Sequence, residues 1–225
     1  MPGLDEYRDR HKGRKCYVFC SGPSLNWFDC DKMARDGVTI CCNASIMALK
    51  SCDYFLFADP RVPKELAYYP TVFDKAGTVV AGNRNLYDDF VVDVPDEMRS
   101  RFVVPSPRRG GLEFARQASQ LVAGNSVVQV AAHFALVLGC EPIILVGVDL
   151  SWGDGQKYFY DRTDPKLWPW LGREEDEATD ETLKWDYNCW REVKSHNPDL
   201  PIFVANRQSK LCELYPWIDL SEFHK

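Results

Sequence analysis

Short apolar segments alternate along the chain with segments that have the spacing of helices. The apolar segments have the length and residue types of strands, and they lie at residues 15–20, 38–42, 53–58, 77–82, 101–105, 142–150 and 202–206. Residues 125–138 have the apolar spacing of a buried helix, which Gly139 is well placed to end. Strands that alternate with helices predict an α/β fold, with a mostly parallel sheet and helices on both faces.

Polar residues follow several of these strands directly. They are Ser21, Asn43, Asp59, Asp149 and Asn206. In an open parallel sheet, ligands bind outside the carboxyl ends of the strands, so we expect several of these side chains to meet in one crevice. Taken singly, each residue fits the commoner role of a loop residue or helix cap.

The segment 151–182 differs from the rest of the chain. It is rich in acidic residues, glycine and aromatic residues, and it shows little periodicity. A segment of this length without clear secondary structure is usually functional or disordered, and Trp152, Trp168 and Trp170 argue against disorder. We interpret it as a lid over the site, within a single domain that spans residues 1–225. A surface excursion packed by its own aromatic residues is the alternative.

The first predicted strand ends at Ser21-Gly22-Pro23-Ser24, which we call the first turn. Its backbone N–H groups and the positive end of a following helix would both suit a phosphate. The turn has neither the Gly-x-Gly-x-x-Gly pattern nor a Walker A sequence, so a P-loop kinase and a standard NAD enzyme are disfavoured. An ordinary turn is the simpler alternative.

Three other places carry candidate binding groups. Asn125 and Ser126 open the predicted buried helix, where they can cap the helix, face a nucleotide, or do both. Asp149 ends the most apolar strand, where a carboxylate can bind a ribose hydroxyl, a metal, or a substrate amine or hydroxyl. Tyr158 lies in the predicted lid and can donate to a phosphate, although packing within the lid explains it equally well. His133, inside the buried helix, is interpreted as a satisfied core residue.

The overall composition narrows the function classes. A hydrophobic content of 45% predicts a real core, and a formal charge of −6 disfavours a general nucleic-acid-binding surface while leaving room for a local basic pocket. No apolar run approaches the roughly 18 residues of a membrane span, and residues 1–15 lack the apolar centre of a signal peptide. Nine cysteines without a Cys-x-x-Cys pair predict reduced, mostly buried thiols, a cytoplasmic location and no zinc site.

Five sequence blocks, in order, match a known group of proteins. They are "CSGPSL" at 20–25, "CCN" at 41–43, the block 125–150, "KYFYD" at 157–161 and the block 202–220. Through these blocks, which span nearly the whole chain, the sequence resembles the bacterial lipooligosaccharide sialyltransferases. It is also similar to a related group that contains archaeal 6-hydroxymethylpterin diphosphokinases, flagellin motility accessory glycosyltransferases and small phage-encoded proteins.

The resemblance implies a Rossmann-like sheet that binds a nucleotide. Carried over by position, the residues implied to contact the nucleotide or its phosphate are Ser21, Gly22, Pro23, Ser24, Asn43, Asn125, Ser126 and Tyr158. Asp149 is implied to contact the nucleotide or to supply a catalytic group, and Asp59 is implied to face the donor. No metal ligand is implied by the sialyltransferase resemblance.

The chain departs from the sialyltransferase pattern at three places. Ser21 and Asp59 stand where those enzymes carry asparagine, and no residue between 151 and 195 matches their lid histidine, the proposed general base. Direct displacement needs a base within hydrogen-bond reach of the acceptor, and Asp149, Asp161 and Asp59 are left as candidates. The pterin kinases carry Asp-x-Asp-Gly where this chain has "FADPRV", so a second carboxylate for Mg²⁺ is missing there.

The leading hypothesis is a nucleotide-sugar-dependent glycosyltransferase, most similar to a CMP-sugar transferase, that acts on an unidentified acceptor. The first alternative is a pterin pyrophosphokinase, which would use ATP and Mg²⁺. The second is a nucleotide-binding module without catalysis, which the absent histidine favours. The sequence leaves open the sugar, the acceptor, any metal requirement and the formation of a homo-oligomer.

Overall fold

The computed structural model describes residues 3–57, 74–81, 102–103, 107–108, 113–122, 126–151, 158–159 and 180–225. Its strands are β1 (Cys16–Phe19), β2 (Val38–Cys42), β3 (Cys52–Phe57), β4 (Ala76–Ala81), β5 (Phe102–Val103), β6 (Pro107–Arg108), β7 (Leu121–Val122), β8 (Ile143–Val146) and β9 (Ile202–Val204). Seven of them form one parallel sheet in the order β5-β4-β3-β2-β1-β8-β9, and β6 pairs with β7 in a second, two-stranded sheet. The predicted α/β class is therefore confirmed.

Helices of two kinds connect the described strands. The α-helices are α1 (Cys30–Asp36), α2 (Val127–Val137) and α3 (Asp180–His196). The 3-10 helices are Leu4–Tyr7, Pro23–Trp27, Asn43–Ala48, Lys210–Glu213 and Ser221–Phe223. The predicted buried helix is confirmed as α2. The predicted lid segment 151–182 overlaps α3, because its last residues from Asp180 onward already belong to that helix.

Side chains of β1 alternate between two buried layers, as the two-residue repeat of a strand requires. Cys16 and Val18 face the layer that α2 and α3 build. Tyr17 and Phe19 face the opposite layer, which includes Met33 of α1 and the C-terminal residues. A sheet buried on both faces has continuous apolar strands, and this accounts for the apolar runs in the sequence. The predicted helices on both faces are confirmed.

The strand order reverses at β1. The chain steps outward from β1 to β5 and then returns to place β8 on the other side of β1. In open α/β sheets the crevice outside the carboxyl ends of the strands at such a reversal is where ligands bind. A site is therefore expected around the loops that follow β1, β2 and β8.

β8 is shorter than the apolar pattern predicted. It ends at Val146, and Gly147 turns the chain with a φ of 73°. A side chain at Gly147 would collide with the carbonyl oxygen of Cys20, so glycine is needed for the loops after β1 and β8 to approach this closely. Asp149 therefore lies in a loop beside the first turn, and the prediction that it ends the strand is wrong.

The cysteines, all of which lie within the described residues, form no disulfide. All of the nine thiols except Cys212 are buried. This confirms the prediction of reduced and mostly buried thiols. Among the described residues, no helix combines the length and the apolar character that crossing a membrane would require.

Candidate functional site

The loops after β1 and β8 are bound directly to each other. The N–H of Cys20 donates to the carbonyl oxygen of Val146 at 2.8 Å, and the N–H of Gly22 donates to that of Gly147 at 2.8 Å. A Cβ at Gly22 would lie 2.5 Å from the Gly147 oxygen and 2.6 Å from Oδ2 of Asp149. The first turn is therefore built on a glycine because no side chain fits at this contact.

The Asp149 carboxylate joins three loops at this edge of the sheet. Its Oδ2 accepts from the backbone N–H of Ser24 at 2.9 Å, and its Oδ1 accepts from the Ser24 hydroxyl at 2.5 Å and from the Asn206 side-chain amide at 2.7 Å. The residue is only 8% exposed. Hydrogen bonds to an ionised carboxylate are stronger than neutral ones, so Asp149 fixes the loops after β1, β8 and β9. The geometry gives it a positioning role, and its catalytic role stays a prediction.

Most backbone N–H groups of the first turn already have partners within the protein. Gly22 and Ser24 donate as described, Leu25 donates to the Gly22 oxygen at 3.1 Å, and Pro23 has no N–H. The following helix, Pro23–Trp27, is a 3-10 helix of five residues, which offers little helix dipole. Gly22, Pro23 and Ser24 therefore do not offer the free backbone N–H groups that were expected to bind a phosphate. A contact of these residues with a nucleotide through their other atoms stays a prediction.

One residue of the predicted lid, Phe159, contacts the first turn. The N–H of Phe159 donates to the carbonyl oxygen of Ser21 at 3.0 Å, and the Asn26 amide donates to the Phe159 oxygen at 2.7 Å. Phe159 is buried, and Tyr158 packs partly buried against the same layer. Tyr158 thus lies beside Ser21 in space, 137 positions apart in sequence, and its predicted contact with a phosphate is not tested by this geometry.

Asn43 follows β2, and its side-chain oxygen has no hydrogen-bond partner among the described residues. It has a φ of 51° and begins the 3-10 helix Asn43–Ala48. Ser45 anchors that helix to β1, because its hydroxyl donates to the Phe19 oxygen at 2.8 Å and accepts from the Cys42 N–H at 2.9 Å. Oδ1 of Asn43 is buried without a hydrogen-bond partner among the described residues. Buried acceptors are nearly always paired in proteins, so this atom is a candidate acceptor for a donor group on a ligand.

Ser126 lies at the start of α2, where sequence analysis placed it. It has extended backbone geometry at the N-cap position, but its side chain makes no capping hydrogen bond. Its Oγ is buried without a hydrogen bond of good geometry to any described residue. Since α2 runs back toward the start of β8, its own start lies at the carboxyl edge of the sheet. The Ser126 hydroxyl, which also lies near the carboxylate of Asp186, therefore presents a second buried polar atom at the edge where Asn43 presents the first.

Asp186 of α3 faces the start of α2, and sequence analysis missed it. Its Oδ1 accepts from the side-chain amide of Gln129 at 3.3 Å. Burial raises the pKa of Asp186 from 3.8 to about 6, and the neighbouring Ser126 hydroxyl opposes part of that rise. One sequence signal could have found it: Asp186 precedes Cys189 and Trp190, both buried, by three and four positions, so it lies on the buried side of α3.

The Cys20 thiol shows how these segments converge. Burial raises the pKa of Cys20, its contact with the Cys42 thiol raises it further, and the carboxylates of Asp186 and Asp149 add to the effect. Asp186 is therefore within electrostatic reach of the end of β1, next to Ser21, while Cys42 directly precedes Asn43. We call the group Cys20, Ser21, Asn43, Ser126 and Asp186 the β1–β2 edge site.

Three of the predicted site residues cannot be placed by the structure. Asp59, Asn125 and Asp161 fall outside the described residues, and their roles stay predictions.

Both ring nitrogens of His133 have hydrogen-bond partners in the core. Its Nδ1 accepts from the Val122 N–H at 3.0 Å, which leaves Nε2 to donate to the Ala115 oxygen at 3.2 Å. This confirms its interpretation as a core residue. Within the described ranges, no group of three His, Cys, Asp or Glu residues is placed to hold a metal ion.

Comparisons with known proteins address the fold. No protein-family model matches the chain, and no curated protein matches it by sequence. Among solved structures, the sialyltransferase CstII from Campylobacter jejuni, in complex with the substrate analogue CMP-3FNeuAc, has a TM-score of 0.59 at 14% identity and covers 92% of this chain and 87% of its own. The complex of CST-II with a trisaccharide acceptor and CMP has a TM-score of 0.55 at 13% identity, with coverage of 91% and 86%.

A second sialyltransferase has a similar fold. The monofunctional α-2,3-sialyltransferase Cst-I from Campylobacter jejuni has a TM-score of 0.58 at 14% identity and covers 91% of this chain and 80% of its own. At these identities the similarity shows a shared fold. The resemblance to sialyltransferases is therefore confirmed at the level of the fold, and none of these structures supports the pterin kinase or phage resemblance.

Proposed function

We propose that the protein is a nucleotide-sugar-dependent glycosyltransferase that uses a CMP-linked donor. The observation that carries the proposal is the buried Oδ1 of Asn43, which has no hydrogen-bond partner among the described residues at the carboxyl edge of the sheet. The buried Oγ of Ser126, which makes no hydrogen bond of good geometry to a described residue, lies at the same edge. Ribose hydroxyls and a base amine are suitable partners for such atoms. The fold is shared with CstII, whose structure has been solved in complex with CMP.

In this proposal the nucleotide lies across the ends of β1 and β2. Asn43 accepts from a donor hydroxyl or amine, and the Ser126 hydroxyl binds the ribose or base. Tyr158 donates to the phosphate, which gains negative charge as the nucleotide leaves, and Ser21 lines the same edge. Donors aimed at a developing charge contribute most to catalysis when they are held in place before the reaction. The hydrogen bond from Phe159 to Ser21 holds the neighbouring Tyr158 in that way.

Nucleotide binding and turnover test the proposal. The parent chain is screened by thermal shift against CMP, UMP, ADP and ATP, with and without Mg²⁺, and CMP release from CMP-sialic acid is followed in parallel. A nucleotide that binds only the folded chain raises Tm by mass action. We expect CMP to raise Tm without metal, Ser126→Ala to weaken that response, and the exposed Ser51→Ala to leave it unchanged as the matched control.

The alternatives have distinct outcomes. Stabilisation only by ATP with Mg²⁺ would replace the proposal with the pyrophosphokinase. CMP binding without CMP release from the donor, alone or with oligosaccharide acceptors, would favour the non-catalytic module. Absence of any nucleotide response would overturn nucleotide binding at this edge altogether.

A further inference from the structure

We propose that Asp186 is the general base of this site, the carboxylate that takes the proton from the acceptor hydroxyl. The inference rests on the proposed glycosyl transfer and adds the group that sequence analysis left unassigned. It follows from where α3 places this carboxylate relative to the Ser126 hydroxyl and the end of β1.

The position of Asp186 connects parts of the site that are far apart in sequence. On one side it contacts α2, where Gln129 donates to its Oδ1 at 3.3 Å and the Ser126 hydroxyl stabilises its ionised form. On another side its charge acts on the Cys20 thiol at the end of β1. A nucleotide that satisfies Ser126 therefore has this carboxylate beside it.

The carboxylate retains capacity to accept a proton. The Gln129 contact is longer than the usual 2.7–3.2 Å range of N–H···O hydrogen bonds, so it holds Oδ1 weakly. Asp149, by contrast, already accepts three hydrogen bonds from Ser24 and Asn206, which leaves it about one acceptor position for a substrate. Of these two carboxylates at the edge, Asp186 is the one with more open lone pairs.

The surroundings of Asp186 set its protonation near neutral pH. The neighbouring groups at the start of α2 are the uncharged Ser126 and Gln129, and the Cys20 thiol after β1 lies within electrostatic reach. The 3-10 helix Lys210–Glu213 also packs against α3, and there Lys210 and Glu213 contact the neighbouring Tyr187. On its own helix, the positions three and four residues away hold the uncharged Thr182, Leu183, Cys189 and Trp190. Burial raises the pKa of Asp186 to about 6. A base with a pKa close to the working pH is well suited to general base catalysis.

The step balances without a further reactant. The acceptor hydroxyl oxygen forms a bond to the anomeric carbon of the donor sugar while the bond from that carbon to the phosphate oxygen breaks. CMP leaves with the electron pair of the broken bond, and the hydroxyl proton moves to the Asp186 carboxylate. Asp186 then returns the proton to solvent. The competing explanation is that Asp186 only ties α3 to α2 through Gln129.

The test compares Asp186→Asn with Glu192→Gln, which removes an exposed carboxylate from the same helix. CMP affinity is measured by calorimetry, and kcat and KM for CMP release are measured from pH 5 to 9. We expect Asp186→Asn to lower kcat by about 100-fold or more, with CMP affinity changed by less than about threefold. We also expect the parent and Glu192→Gln to lose kcat below pH 6, and Asp186→Asn to lack that acid limb.

The possible outcomes distinguish a failure of the role of Asp186 from a failure of the proposed glycosyl transfer. If the parent binds CMP and releases it from the donor, and Asp186→Asn retains kcat and the acid limb, the role of Asp186 is overturned while the proposed function stands. If Asp186→Asn changes KM or stability only, Asp186 is a helix contact and the role is overturned as well. If the parent neither binds CMP nor releases it, the proposed function fails and the role of Asp186 fails with it.

Discussion

The Asp149 carboxylate accepts two hydrogen bonds from Ser24, a residue 125 positions earlier in the chain. One comes from the backbone N–H and the other from the hydroxyl. The carboxylate therefore binds both the backbone and the side chain of Ser24 in the first turn. Asn206 adds a third hydrogen bond from the loop after β9. The conformation of the first turn is thus set by a side chain of the loop after β8 and not by the turn sequence alone.

Asp149→Asn should destabilise the fold. The substitution removes a buried charge that three donors surround and places an amide N–H₂ against them, so we expect a loss of roughly 3 kcal/mol in the free energy of unfolding. Urea denaturation measures the loss, and Asp199→Asn, an exposed aspartate, is the control. An unchanged urea midpoint together with lost activity would instead establish Asp149 as a catalytic group.

Gly22→Ala should be costly for steric reasons. Its Cβ would lie 2.5 Å from the Gly147 oxygen, a backbone atom that cannot move without shifting the loop after β8. We expect a loss of about 2 kcal/mol or more in unfolding free energy. The control is Gly3→Ala, where no atom lies within 4 Å of the new Cβ and φ is −82°. Equal stability of the two variants would refute the close packing of the loops.

Asp186 should make stability depend on pH in a defined direction. Burial raises the pKa of Asp186 from 3.8 to about 6, so the folded state favours the protonated acid. The stability contributed by this group is complete below about pH 4 and is lost as pH rises through 6. At about 1.4 kcal/mol per pKa unit, the rise corresponds to about 3 kcal/mol.

The Asp186→Asn variant isolates that contribution. Between pH 4 and 7 the unfolding free energy of the parent should fall relative to that of Asp186→Asn by up to about 3 kcal/mol. Urea titrations at several pH values measure the difference, with Glu192→Gln following the parent. A constant difference across this range would show that the carboxyl of the half-buried Asp186 titrates near its ordinary pKa and is not desolvated by the fold.

Asn43→Gly should separate binding from folding. Glycine adopts the φ of 51° without strain, so the unfolding free energy should change by less than about 1 kcal/mol. The loss of Oδ1 should weaken CMP binding about tenfold, which calorimetry can measure. Asp9→Gly is the matched control, since Asp9 is exposed and has a φ of 55°. Full CMP affinity in Asn43→Gly would exclude this residue from the nucleotide site.

Local pattern was a reliable guide to the strands beside the site. β2 coincides with the predicted segment 38–42, and β1, β3 and α2 fall within two residues of their predicted bounds at each end. Buried strands and helices carry their apolar pattern in consecutive residues, so no distant contact is needed to recognise them. The same reasoning located Ser21, Asn43 and Ser126 at the ends of their elements.

Sequence by itself thus determined the α/β class, the main strands and the edge of the sheet where polar residues gather. Only the tertiary structure decided how those residues are used. Asp149 is engaged by Ser24 and Asn206, and Asp186 is brought to Ser126 from a helix that local pattern marks only as amphipathic. The reason is physical: hydrogen-bond partners and desolvation depend on groups that approach from distant parts of the chain, and these approaches leave no periodic trace in the sequence.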